Sequence, residues 1–489
     1  MSVQIFLQGK LLGIEEFLAA PIAAEGGIFE PETLFAGRSQ WVALLAEILP
    51  RALLAELGLA RILLGSSGGG QFMVVLPEES RPQAEAFLSA AGSDIARLSA
   101  ERLRLTWAMT ENLGDWSDVR KRLGEEMQRR RGTPAPATAA SPFQPLPVLP
   151  AAEDAELFTA LARGLRETAS AGWSPETPAQ PLLDSGKHTW SLTAAHDGIA
   201  LARHSAPSDD SRSAAGVPVL AGRAAGRPAW GLLRGDVDSF GIRLRRAQTI
   251  EEHLQLSIMY KQFFAGELEV LCSMPEFWKR VTILYSGGDD FAVYGAWDAL
   301  IALAREVQRL FRRFAEEHLR DFPGPEGKTI TMALALARQP NVSLPSVYIQ
   351  AGRALEQAKS AGKDCFHLFG RTLEWKHLAD AADIKDTMAR MIGEFGCPPQ
   401  MINELGGFYR ETPWTPDRAP GARGKQDRFD RPWRFHWRLN RLLGSTRDRE
   451  LQKLRASLVT DLVGKNVAQW RLRPSGRVAL EWARMQTEV

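Results

Sequence analysis

Thr282-Ile-Leu-Tyr-Ser-Gly-Gly-Asp-Asp-Phe-Ala-Val-Tyr-Gly295 decides the fold of this chain. An apolar run enters a Ser-Gly-Gly turn, two aspartates sit at its tip, and a second apolar run leaves, which is the pattern of a β-hairpin. Gly and Asp suit hairpin turns in any protein, so the turn alone has no chemical meaning. A second acidic segment gives it one: Trp230-Gly-Leu-Leu-Arg-Gly-Asp-Val-Asp-Ser-Phe-Gly241 reads as a strand ending in Asp-Val-Asp. Residues two apart on a strand share a face, so Asp236 and Asp238 point the same way. Four carboxylates, Asp236, Asp238, Asp289 and Asp290, on neighbouring strand ends supply the hard oxygens that a pair of Mg²⁺ ions requires, with phosphate and water completing the octahedra.

The surrounding pattern runs strand 229–237, helix 246–271, hairpin 281–294, amphipathic helix 297–322, strand 329–336, helix 347–361 closed by Gly362, and strand 365–369. This order contains the split βαβ, ferredoxin-like arrangement. The N-terminal region repeats it in degraded form. Val3–Phe17 reads as a first strand with Lys10 after Gly9, and Arg61–Pro77 reads strand, glycine turn, strand, with Gly70 and Gln71 where an acid belongs. This first unit lacks the carboxylates for metal chemistry and is read as a structural partner and one wall of a cleft. Replacing Lys10 or Gln71 is accordingly expected to leave metal binding unchanged.

The fold class expected is α+β: two ferredoxin-like palm domains plus a C-terminal helical bundle. The divisions are residues 1–132 (first palm, degenerate), 133–152 (a Pro/Ala linker), 153–228 (a connector with one short helix), 229–372 (second palm) and 373–489 (basic helical domain). A length of 489 residues suits three or four domains, and 45% hydrophobic with 24% charged residues is ordinary for a globular chain. No run of about 18 apolar residues occurs, so no membrane span is expected. No secretory pattern is read in the opening residues, so a cytoplasmic location is the expectation. The three cysteines, Cys272, Cys365 and Cys397, suit neither a disulfide framework nor a zinc site. The net charge of +2 hides an asymmetry: residues 410–489 carry 18 Lys and Arg against 9 Asp and Glu, so the rest sums to −7. Arg431-Pro-Trp-Arg-Phe-His-Trp-Arg438 mixes phosphate-binding forks with stacking rings, and an amphipathic helix packing its aromatics inward gives the same pattern. His196-Asp197, His188 and His204 have no accompanying ligand pattern for a metal-dependent nuclease site, and none is expected in this chain.

Gly235-Asp-Val-Asp-Ser-Phe-Gly241, the helix Ile250-Glu-Glu-His-Leu-Gln-Leu-Ser-Ile-Met-Tyr-Lys261, Ser286-Gly-Gly-Asp-Asp-Phe291 and Gly295-Ala-Trp-Asp298 together resemble the large, cyclase-bearing subunit of type III CRISPR interference complexes. Gly-Ala-Trp-Asp leans toward the III-A, Csm-type branch. The cyclases with a Gly-Gly-Asp-Glu-Phe signature resemble the chain more distantly, with Glu where it has Asp290. The resemblance covers residues 1–132 and 229–489. It implies a nucleotidyltransferase that binds ATP between the palms on two Mg²⁺ (or Mn²⁺) ions and makes cyclic oligoadenylate when target RNA is bound. It implies partners in a guide-RNA ribonucleoprotein. Asp236, Asp289 and Asp290 become the catalytic carboxylates, with Asp238 as a further metal ligand. The Gly287 and Gly288 backbone approaches phosphate, as does Lys359 and, after it, Lys363. Departures are Lys10 for a carboxylate, no cysteines for a zinc module between the palms, and Met332-Ala-Leu-Ala where relatives carry Ser-Ala-Gly. The other readings are a non-catalytic scaffold of the same kind of ribonucleoprotein and a stand-alone nucleotide cyclase. Clustered carboxylates cost stability unless metal or protons relieve them, which argues against the scaffold.

Overall fold

The computed structural model describes residues 3–20, 31–132, 153–193, 198–210, 213–337, 339, 342–411, 437, 441, 448–463 and 472–487. Its larger sheet has six strands. They are β8 (Trp230–Val237), β9 (Val281–Ser286), β10 (Asp290–Ala296), β11 (Ile330–Leu336), β12 (Cys365–Leu368) and β13 (Arg371–Glu374), in the order β13-β12-β11-β8-β10-β9. The four strands β11-β8-β10-β9 are the expected antiparallel ferredoxin-like core, with β8 at its centre. β12 joins parallel to β11 after the helix Leu344–Ala361, and Phe369-Gly370 then turns the chain back into β13. The sheet therefore runs to Glu374, one strand beyond the expected last strand. Arg371-Thr-Leu-Glu374 is too short to show an alternation of its own.

A second sheet, β1 (Gln4–Leu12), β2 (Leu64–Gly68), β3 (Gln71–Pro77) and β4 (Arg104–Glu111), has the order β2-β3-β1-β4. Helices Pro31–Glu56 and Arg81–Leu98 supply its crossovers. The two units share one packing rule at their centres. A Cβ on Gly9 would lie 2.2 Å from the Phe72 ring, and a Cβ on Gly235 would lie 2.3 Å from the Phe291 ring. Each phenylalanine is the register partner of its glycine. The first palm shares this steric device and has Lys10 and Gln71 where the second has acids.

Alternation on β8 sorts the side chains between two cores. Leu233 and Val237, with Phe291, Val293, Met332 and Phe366, pack against the helices of 250–272 and Trp297–His318 and against the C-terminal helices. Those are Trp375–Gly393, Gln400–Glu411, Arg449–Val463 and Pro474–Thr487. On the other face Leu232, Ala292 and Tyr294 pack with Leu344, Val347 and Tyr348, and this core continues into the first palm through Phe35, Leu44 and Leu45. The polar side chains of β8, Arg234 and Asp236, thus face the first palm.

Two expectations are modified. The helix of 246–271 is broken. Thr249 caps Ile250–Gln262 by accepting from the Glu252 amide, and Phe263–Glu267 forms one π turn before Leu268–Cys272. The connector is not irregular throughout: after the helix Glu153–Gly164 it forms a three-stranded sheet, β6 (Leu182–Leu183)-β5 (Ser170–Trp173)-β7 (His188–Ser191). Strands of two to four residues leave no periodic signal. The expected linker 133–152, and all of the 432–443 helix except Trp437 and Arg441, lie outside the described residues. Among the described residues no helix is long and apolar enough to cross a membrane.

The palms are tied by charge as well as by core. Lys261 of the second palm donates to both carboxylate oxygens of Glu47 at 2.7 Å, and Arg51 pairs with the same carboxylate at 2.8 Å. Ser67 at the end of β2 also donates to it, at 2.9 Å. Burial works to raise the Glu47 carboxyl, but Lys261 and then Arg51 override it and hold its pKa below the ordinary value. Removing one member of a buried ion cluster leaves the others uncompensated, so Glu47→Ala is expected to lower unfolding stability by about 3 kcal/mol. Because the folded-state pKa is depressed, this contribution is complete above the ordinary carboxylate value, begins to fall there and is lost as pH drops through the lower folded-state value. Denaturant titrations of both proteins between pH 7 and pH 4 check this: the gap should narrow toward the acid end.

Candidate active site

Asp236 is the last polar residue of β8 on the face turned to the first palm, and its register partners are Asp290 on β10 and Thr331 on β11. The hairpin tip Gly287–Asp290 is closed by the Gly287 amide donating to the Asp290 carbonyl at 2.7 Å, and the Val237 amide donates to the Asp289 carbonyl at 2.9 Å. The tip is also anchored from behind. Ser286 donates to the Phe264 carbonyl at 2.6 Å, inside the π turn. Asp236, Asp289 and Asp290 are thereby brought together at one end of the sheet, as the sequence implies.

Their charge is incompletely balanced. Burial, then Asp290, then Asp236 push the Asp289 carboxyl well above its ordinary pKa, against Lys359 and Lys10. Asp290 is raised by burial and by Asp236, with Arg234 and a Tyr285 hydrogen bond opposing. Asp236 is also raised, first by burial, although the Lys359 ammonium sits 3.0 Å from its Oδ2. Lys359 thus lies at the carboxylates, as expected, and pairs with Asp236 and more loosely with Glu356. Lys363 does not join them: it donates to Ser239 Oγ at 2.7 Å. Gly288 faces open space, and a Cβ on Gly287 would lie 2.4 Å from Asp290 Oδ1.

Asp238 corrects an expectation. Thr331 donates to its Oδ1 at 2.7 Å, so it shares the Asp236 face as the alternation predicts. Its Oδ2 accepts from Thr329 at 2.7 Å and from the Asp364 amide at 2.9 Å. It is 4% exposed. With both oxygens engaged, Asp238 pins β8 to β11 and to the turn before β12, and is not placed to hold a metal.

Sequence reasoning missed a hydrogen-bonded chain behind Asp290. Tyr285 donates to Asp290 Oδ2 at 3.1 Å, and Arg234 donates to the Tyr285 oxygen at 3.1 Å. Arg234 also pairs with Glu15 of the first palm at 2.8 Å and lies 4.4 Å from the Tyr348 ring centroid. Tyr348 donates to the same Glu15 at 3.1 Å. The available signal was Arg234 standing two residues before Asp236 on one strand face. His188 and His204 have structural partners, the Glu56 carboxylate at 2.6 Å and the Trp278 carbonyl at 3.1 Å. His196-Asp197 lies outside the described residues, as does the basic aromatic tract 431–438 except Trp437, over which Arg441 stacks at 5.0 Å.

As they stand, no three His, Cys, Asp or Glu side chains among the described residues converge closely enough to hold a metal ion. Lys359 draws Asp236 one way and Tyr285 holds one oxygen of Asp290. The donor chemistry nevertheless fits a hard divalent cation, because three mutually repelling carboxylates carry more negative charge than the cations around them neutralise.

That frustration has a measurable consequence. A carboxyl whose pKa is raised by folding costs stability once pH exceeds its unfolded value. Asp289→Asn is therefore expected to raise the melting temperature of the metal-free protein at neutral pH, by about 1–3 °C. The gain should fade toward pH 4. Added Mg²⁺ should stabilise the wild type more than the variant. Thermal scans in chelator and in Mg²⁺ provide the check.

Residues 229–367 match the family model for the Cas10/Cmr2 second palm domain. The chain is 31% identical over 105 residues to the CRISPR system single-strand-specific deoxyribonuclease Cas10/Csm1 (subtype III-A) of Enterococcus italicus, a match covering 20% of this chain and 13% of that protein. It is 28% identical over 179 residues to the Mycobacterium tuberculosis protein of the same description, covering 32% and 21%. These matches span well under two thirds of the relatives' length. Among solved structures, the Csm1–Csm4 cassette in complex with cA3 aligns over 99% of this chain and 70% of that one, with a TM-score of 0.70 and 16% identity. The cassette in complex with one ATP aligns equally well, at 17% identity. The strand order, the acidic hairpin and these matches agree: residues 229–367 are similar to a Cas10/Cmr2 second palm domain, and the fold of the chain is that of the Csm1 structures.

Proposed function

We propose that this chain is the large subunit of a type III-A CRISPR RNA-guided complex and joins ATP molecules into cyclic oligoadenylate when target RNA is bound. The observation that carries this reading is the set Asp236, Asp289 and Asp290. Their charge is only partly compensated, and the glycine turn of the first palm stands against the hairpin tip that carries two of them. The neighbouring Csm1–Csm4 structures hold ATP, cA3 and cA4. Those ligands belong to those proteins, and they make adenine nucleotides the substrates to test here.

In the reaction proposed, the 3′ oxygen of one ATP bonds to the α-phosphorus of another, the bond to pyrophosphate breaks, and the hydroxyl proton passes to solvent. Asp236, Asp289 and Asp290 would hold Mg²⁺ or Mn²⁺, which supplies charge neutralisation at the triphosphate and a lowered hydroxyl pKa when bound. Lys359, already at the carboxylates, can exchange Asp236 for phosphate oxygen. The Gly287 and Gly288 backbone leaves room for close approach. Tyr285 and Arg234 fix the rotamer of Asp290, so that its free oxygen needs little reordering. Asp238 keeps the β8 end in register. Guide RNA, target RNA and neighbouring subunits are the partners this reading implies.

Asp289→Ala with Asp290→Ala is expected to abolish ATP turnover while the protein still enters its ribonucleoprotein, because both side chains lie at a turn tip and not in either core. Incubating the assembled complex with ATP, Mg²⁺ and target RNA, with mass analysis of products, decides the matter. Cyclic product from the double variant would contradict the assignment. A wild-type complex that assembles on guide RNA and makes no product would favour the scaffold reading.

A further inference from the structure

The first palm presents a cation where the second presents an acid. Lys10 pairs with Gln71 and Thr106 in register as Asp236 pairs with Asp290 and Thr331. The Leu11 amide donates to the Gly70 carbonyl as the Val237 amide donates to that of Asp289. The turn Gly68-Gly69-Gly70-Gln71 therefore stands in the first palm where Gly287-Gly288-Asp289-Asp290 stands in the second. The two turns also meet. A Cβ on Gly69 would lie 3.2 Å from the Gly288 amide nitrogen, and one on Gly287 would lie 3.4 Å from Gly69 Cα. Lys10 and Asp236 thus occupy matching positions beside touching tips.

The Lys10 ammonium is half-buried, with no hydrogen-bond or ion-pair partner among the described residues. Lys10 and Asp289 feel each other's charge, yet they stand too far apart to pair. An ammonium held in this way without a partner carries a desolvation cost, and an anion between the palms removes it.

We propose that Lys10 is a phosphate-binding residue of the inter-palm cleft, through which the first palm holds the polyphosphate of a nucleoside triphosphate by an ammonium and without metal. This rests on the nucleotide reading given above. It changes the expected role of the first palm from a passive wall to one of two unlike half-sites. It also runs against the expectation that replacing Lys10 leaves metal binding unchanged, since Lys10 is one of the cations opposing the charge of Asp289.

The test is calorimetric titration of the full chain in excess chelator with ATP, ADP, AMP and adenosine, for wild type, Lys10→Met and Lys10→Arg. The ammonium should contribute only where phosphate is present. Lys10→Met is expected to weaken ATP binding about tenfold or more, as for a lost charged hydrogen bond, and to leave adenosine unchanged. The loss should diminish from ATP to AMP, and Lys10→Arg should retain most of the affinity. Equal ATP affinity in wild type and Lys10→Met overturns the proposal, leaving Lys10 a counter-charge to Asp289. Equal loss for ATP and adenosine also overturns it, as a general distortion of the cleft. A wild type that binds no adenine nucleotide with or without Mg²⁺ removes the nucleotide reading itself, a failure distinct from the other two.

Discussion

The contact between two glycine turns sets the geometry of the site. Gly69 and Gly288 approach so closely that a Cβ at 69 would press on the opposite backbone, and Gly287 lies within van der Waals reach of Gly69. Behind the contact, Glu47 gathers Lys261, Arg51 and Ser67 into one buried cluster that crosses the same boundary. A buried ionic cluster of this kind fixes position more than it adds stability, because desolvation offsets most of its attraction. Together the turns and the cluster fix how far apart the strand ends of the two palms lie, and with that what can enter between them.

Two palms with one topology then differ in charge at matching positions. Gly9 against Phe72 and Gly235 against Phe291 show that the packing of the central strands is common to both. At the strand ends the correspondence changes character: Lys10 for Asp236, Gln71 for Asp290, Gly70 for Asp289. A Thr stands at both third positions, 106 and 331. The fold tolerates either charge there because the strand ends lie outside both cores. The chemistry does not tolerate it, since hard cations are held by oxygen anions and phosphate by ammonium or backbone amides. A pseudo-symmetric scaffold with an asymmetric site follows from these few substitutions.

The hairpin, the central strands and the long helix 297–318 were legible because period-two and period-3.6 patterns run long enough there to be read. The gathering of Asp236, Asp289 and Asp290 was legible because strand alternation and hairpin tips dictate it. Three things were not. β13 and the three-stranded sheet of 170–191 are too short to carry a period. Asp238 sits in the same alternation as Asp236, and only the tertiary placement of Thr329, Thr331 and the Asp364 amide engages both of its oxygens. The orientation of Lys10 toward the second palm, and the chain from Asp290 through Tyr285 and Arg234 to Glu15, depend on how the palms face each other, which no local pattern encodes. The residue types were visible in each case, and their partners were not.

The central claim is that the charge at one register position decides which palm holds metal. Mn²⁺ binding to the full chain, counted by electron paramagnetic resonance for wild type and Asp236→Lys, tests it most directly. The substitution gives the second palm the side chain that the first already accommodates at the matching position, so the fold should survive, as far-UV circular dichroism can establish. The account predicts saturable Mn²⁺ binding by the wild type and its loss in folded Asp236→Lys. Undiminished Mn²⁺ binding by the folded variant would contradict it.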